Sequence, residues 1–168
     1  GRVMSSTELV AALEAQVLAL RPKLSGCDRP VALLADRSMQ LCVMDLALME
    51  CGVPVLSLPL FFTAAQRGHA LAHSGARMIV RGELGVPGRA LACDMLPAAG
   101  DTAAAGRADG VIPAGTARIS YTSGSTGMAK GICLSARNLL AVARGVVDAA
   151  GTENVGRHLA VLPPGVLL

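Results

Sequence analysis

The sequence predicts an α/β protein built on an open, mostly parallel sheet flanked by helices. Three observations carry that prediction: short apolar runs alternate with helix-length segments, the helices open on hydroxyl caps and close on glycines, and the apolar runs are continuous. Continuous apolar runs mark strands covered on both faces, as parallel strands are. Ser5-Ser6-Thr7-Glu8 is capping chemistry ahead of Leu9, Leu13, Val17 and Leu20, so Ser5 to Leu24 predicts a first helix, ended by Pro22 and Ser25-Gly26. Pro30 to Ala35 then predicts a buried strand, Ser38 to Cys51 a helix stopped by Gly52, and Val53 to Leu58 a second strand. Thr63 to Ser74 predicts a third helix capped by Thr63, and Ala76 to Val80 a third strand. Strand-helix alternation at this rhythm implies right-handed crossovers in one sheet.

Composition narrows the function classes. Apolar residues make up 52% of the 168-residue chain but aromatics only 2%, so the core must be aliphatic. The length suits one compact domain. A mean hydropathy of +0.53 is high for such a domain. No membrane span accounts for it, because the most apolar stretch, Met39 to Phe62, is broken by Asp45, Glu50, Gly52, Pro54 and Pro59. Part of this apolar surface is therefore expected to pack against further protein. The net charge of +3 is scattered, and one Tyr with two Phe offers no stacking platform, which argues against nucleic acid. Five cysteines (Cys27, Cys42, Cys51, Cys93 and Cys133) show no zinc spacing and predict free, buried thiols in a reducing cytoplasm. Residues 97–115, rich in Ala and Gly, predict a flexible surface excursion, and Gly1-Arg2-Val3 reads as a remnant of expression.

The chemistry concentrates in Tyr121 to Gly131, YTSGSTGMAKG. The preceding TARISYT alternates like a strand, and SARNLLAVARGVVDAAG after it has helical period, so the glycine-rich stretch is expected as a loop at a strand end ahead of a helix. Gly124, Gly127 and Gly131 free the backbone to turn N–H groups toward an anion, and Thr122, Ser123, Ser125 and Thr126 add short donors. Lys130 supplies a mobile point charge. A glycine-serine linker would be flanked by polar sequence, whereas this stretch is flanked by apolar runs. It is not a Walker A loop, since Lys130 follows Ala129 and precedes Gly131.

Other constellations are weaker. His69 and His73 in HALAH share a helix face, but Ala70 stands where a zinc protease needs glutamate, and no metal site is predicted. Gly124-Ser125-Thr126-Gly127 is one residue short of a nucleophile elbow. Asp36 and Asp45 sit at ordinary strand-end and helix-face positions with no partner visible in sequence, and His158 stands alone.

The order Thr-Ser-Gly-Ser-Thr-Gly-x-x-Lys-Gly resembles the phosphate loop of the adenylate-forming superfamily: acyl-CoA synthetases, firefly luciferase and the adenylation domains of nonribosomal peptide synthetases. The resemblance spans residues 1–168 and corresponds to the N-terminal part of that fold. It implies an ATP-dependent acid–thiol ligase that activates a carboxylic, and by expectation fatty, acid as acyl-AMP and passes it to coenzyme A, using Mg²⁺. Thr122, Ser123, Gly124, Ser125, Thr126 and Gly127 would cradle the β- and γ-phosphates, with Lys130 paired to them. A cytoplasmic location is expected from the free cysteines. The adenine-binding motif, the magnesium-binding glutamate, the hinge and the catalytic lysine would come after Leu168, so the chain alone is expected to be inactive and to need that C-terminal portion. Two alternatives stay open: an amino-acid-activating adenylation domain and a non-catalytic binding module. Two departures stand out. Ala129 replaces the family's usual proline, which loosens the loop by roughly 0.4–1 kcal/mol of unfolded-state entropy, and Ala136 replaces a common histidine.

Overall fold

Residues 4–35, 38–82, 92–95, 112–122 and 129–151 are described by the structure, a computed structural model, with 92–95 described as backbone. The elements run α1 (Ser6–Leu24), β1 (Val31–Leu34), α2 (Met39–Glu50), β2 (Val55–Ser57), α3 (Ala64–Ser74), β3 (Met78–Arg81), β4 (Ala92–Met95), β5 (Thr116–Tyr121), β6 (Gly131–Ser135) and α4 (Ala136–Ala150). The strands form one sheet in the order β4-β3-β1-β2-β5-β6. The four central strands are parallel, and antiparallel strands close both edges.

The period of the strands decides what lies on each face. Val31 and Leu33 of β1 point with Val55 and Val80 into a core filled by Leu20 of α1 and Leu48 of α2. Ala32, one residue out of step, joins Leu56, Ile79 and Ile119 in a second core against Ala70 of α3. Both faces are therefore covered, which is why these strands read as unbroken apolar runs. The chain steps from β1 to β2 with α2 on one face, then reverses past β1 to β3 with α3 on the other. A reversal of direction under a fixed crossover hand puts the helices on opposite faces in this way.

Local chemistry sets the element ends. Ser5 and Glu8 form a reciprocal capping box at α1, and Thr63 and Gln66 form one at α3. Gly52 and Gly75 take φ of +74° and +67°, the left-handed geometry that ends α2 and α3. Pro22 does not end α1 as predicted. Leu20 and Leu24 are 2% and 8% exposed and hold the last turn onto the core, so packing overrides the proline. Removing the hydroxyl cap of α3 with Thr63→Ala is expected to lower unfolding free energy by about 1 kcal/mol, read by urea titration.

Strands β4 and β6 have no counterpart in the sequence prediction. Of the predicted excursion at 97–115, residues 97–111 lie outside the described residues, as do Gly1-Arg2-Val3, Asp36 and His158. No helix among the described residues is long and apolar enough to cross a membrane. The cysteines also differ from expectation: Cys42 and Cys133 are exposed, and Cys27 and Cys51 are half-buried, all four unbridged. Although Cys42 is exposed, partial desolvation by the protein around it first, and the Asp45 carboxylate second, push its thiol up.

A candidate phosphate site at the end of strand β5

Strand β5 lies parallel to β2 and antiparallel to β6, with Tyr121 opposite Gly131 and Ser120 opposite Ile132. The chain leaves β5 at its carboxyl end, where open α/β sheets place their ligand crevice. Thr122 N–H donates to the Lys130 carbonyl at 3.0 Å, extending the ladder one step past the strands. Residues 122 and 130 are thus the two feet of a hairpin loop. Ser123, Gly124, Ser125, Thr126 and Gly127 lie outside the described residues. Of the predicted site residues, Thr122 is half-buried at one foot and Lys130 exposed at the other.

This geometry corrects the expected strand-loop-helix order. The loop joins two antiparallel strands, and α4 starts only after β6 has run back along β5. Thr116 pairs with Ser135, the N-cap of α4, so that helix begins roughly 17 Å from the loop at ~3.4 Å per strand residue. The α4 dipole therefore makes no contribution at the loop, because helix-end fields act over about one turn.

Gly131 also has a different purpose from the one predicted. It is extended strand, not left-handed, and a Cβ on it would sit 3.1 Å from Cζ of Tyr121. Its bare backbone lets the Tyr121 ring lie across β6. Tyr121 is 4% exposed, and burial first, with Cys133 second, pushes its phenol up from 10.0 to about 12. The folded state therefore holds this proton more tightly than the unfolded chain does. That contribution to stability is complete below pH 10.0 and is lost as pH rises toward about 12. Tyr121→Phe is expected to flatten this alkaline loss, as measured by denaturant unfolding across that range.

Beneath the loop, Arg118 of β5 donates to Ser57 Oγ of β2 at 2.9 Å and to Asp45 Oδ2 of α2. The pair is largely buried, with side chains 14% and 18% exposed, and Asp45 Oδ1 has no partner. Asp45 is thus not the partnerless helix-face acid that the sequence indicates. It ties β5 to α2. Sequence could not reveal the pair, because Arg118 is 73 residues away.

His69 and His73 share the face of α3 that meets β5. His69 Nε2 lies 3.2 Å from the Ala129 carbonyl, and His73 Nδ1 lies 2.7 Å from the Tyr121 hydroxyl. No cluster of three or more His, Cys, Asp or Glu gathers among the described residues.

A family model described as "AMP-binding enzyme" matches residues 11–166. No curated protein sequence matches the chain. Among solved structures, o-succinylbenzoate CoA synthetase (MenE) from Bacillus subtilis, in complex with the acyl-adenylate intermediate OSB-AMP, aligns with TM-score 0.71 and 19% identity over 96% of this chain and 34% of that one. The N-terminal subdomain of NpsA from Klebsiella oxytoca, in complex with anthranilyl-AMSN, aligns with TM-score 0.55 and 24% identity over 81% and 35%. MatB from Rhodopseudomonas palustris aligns with TM-score 0.63 and 23% identity over 88% and 32%. The chain spans about a third of the length of these structural relatives. The family model covers nearly the whole sequence: the chain belongs to the AMP-binding enzymes, the adenylate-forming family its loop sequence resembles.

Proposed function

We propose that this chain is the triphosphate-gripping N-terminal portion of an acid–thiol ligase. The full-length polypeptide would join a carboxylic acid to AMP from ATP, expel pyrophosphate, and transfer the acyl group to coenzyme A, with a fatty acid the first acid to test. One observation supports this most directly: the Thr-Ser-Gly-Ser-Thr-Gly-x-x-Lys segment spans a hairpin at the carboxyl end of a parallel strand. Attack of the acid carboxylate on the α-phosphorus breaks the bond to the bridging oxygen and leaves negative charge on pyrophosphate. Donors aimed at that charge act most strongly as it develops. Thr122, Ser123, Gly124, Ser125, Thr126 and Gly127 would cradle the β- and γ-phosphates, and Lys130, exposed at the exit foot, would pair with their oxygens. The described residues do not offer Mg²⁺ a protein cage, so the residues of this chain are assigned no step through the metal.

Helix α4 supports a longer working unit. It buries no residue, and Leu140, Val142, Val146 and Val147 are 48–67% exposed along it. An apolar stripe of this kind fits a packing surface for the C-terminal portion of the same polypeptide. Acid-dependent ATP–pyrophosphate exchange tests the proposal. The full-length polypeptide is expected to exchange with its acid, and the 168-residue chain alone to show none. A full-length polypeptide that binds ATP but exchanges with no acid would be a non-catalytic module, and acyl transfer to a carrier protein in place of coenzyme A would make it a peptide-synthetase domain.

A further inference from the structure

The two histidines of α3 reach both ends of the loop from one rigid element. Their rings stack at 5.5 Å with 22° between planes, and each meets the Tyr121 ring edge-on, at 6.3 Å and 5.9 Å. Ala70, between them, is fully buried against the sheet and fixes the height of this face. His73 bonds the Tyr121 hydroxyl, at the last strand residue before the loop, and that hydroxyl also lies 3.4 Å from the Ala70 carbonyl. His69 bonds the carbonyl of Ala129, the residue before Lys130, where the chain returns. A carbonyl only accepts, so His69 Nε2 carries the proton and donates. Ala129 itself is 8% exposed, so its backbone is buried and held on the α3 side. The Lys130 carbonyl is held on the other side by Thr122 N–H. The peptide from which the Lys130 side chain extends is therefore gripped at both of its ends, by a helix and by a strand.

We propose that His69 is a positioning residue for the triphosphate grip: its Nε2–H fixes the Ala129 carbonyl and thereby the direction in which Lys130 leaves the loop. His73 and Tyr121 brace the opposite foot. This rests on the reading of residues 122–130 as a phosphate loop. Ala129 makes the bond matter more, because proline at that position would set φ covalently whereas alanine leaves it free. The hydrogen bond replaces a covalent constraint with a side chain from another element.

The test uses the full-length polypeptide and two residues of matched length, His69→Gln, which keeps a donor, and His69→Met, which does not. In ATP–pyrophosphate exchange, H69M is expected to raise the KM for ATP about tenfold, the upper range for one hydrogen bond. The KM for the acid and the thermal midpoint should stay in place, and H69Q should restore the ATP KM to within about threefold of the parent. Equal ATP KM values for H69M and the parent would overturn the assignment. So would a rise in both KM values together, because that marks a purely structural histidine. Should H69M not fold, H69Q against His69→Glu decides, and equal ATP KM values overturn the proposal. Lys130→Ala run alongside separates the layers: if it leaves exchange intact, the phosphate-loop reading fails, whereas its loss with H69M unaffected removes only His69.

Discussion

Replacing Lys130 by alanine in the full-length polypeptide is expected to lower acid-dependent ATP–pyrophosphate exchange by roughly 100- to 1,000-fold, the range for removing one preorganised donor from developing charge. The melting midpoint should not move. Lys130 is exposed and lies outside both apolar cores, so nothing in the packing depends on its side chain. Its backbone carbonyl, which receives the Thr122 N–H, is kept by any residue other than one that distorts the strand pair. Lys130→Arg should recover only part of the rate, because a planar fork on a longer stem meets the phosphate oxygens in a different place. Steady-state exchange with saturating acid gives the number. Adenylation at the parental rate in K130A would remove the lysine from the proposed grip.

Asp45→Ala is expected to cost roughly 3 kcal/mol of unfolding free energy, the lower end for breaking a buried ion pair, since 14–18% of each side chain still meets water. The loss comes mainly from stranding the Arg118 guanidinium inside the sheet-helix interface, with only Ser57 Oγ left to it. Asp45→Leu combined with Arg118→Met should recover most of that loss, because two apolar chains of similar volume leave no orphaned charge. Urea unfolding of the single and double variants separates the two effects. A single variant within about 0.5 kcal/mol of the parent would mean the pair adds nothing.

The contrast between these two residues shows how far the sequence was legible. Lys130 stands inside a contiguous run whose residue types follow from anion chemistry, so its candidacy is readable locally. Asp45 and Arg118 are ordinary in their own neighbourhoods, and only the parallel pairing of β2 with β5 brings them together. Helices were legible wherever a hydroxyl cap and a glycine stop coincide, as at α3, with Thr63 before it and Gly75 at φ +67° after it. The central strands were legible because burial on both faces leaves apolar runs. Strand β6 was not, since it has five residues, opens on Gly131 and runs directly into Ser135, the hydroxyl cap of α4. Missing β6 put the predicted helix N-terminus beside the loop, a placement the Thr116–Ser135 pairing rules out. His69 and His73 were visible as a pair on one face, but their partners, Ala129 and Tyr121, lie 60 and 48 residues away.

Strand β6 has one more consequence. By carrying the chain back along β5 before α4 begins, it sets the start of that helix at the far end of the hairpin from residues 122 and 130. Polar substitutions at the exposed Leu140, Val142, Val146 and Val147 therefore probe what that helix docks against separately from the side chain of Lys130.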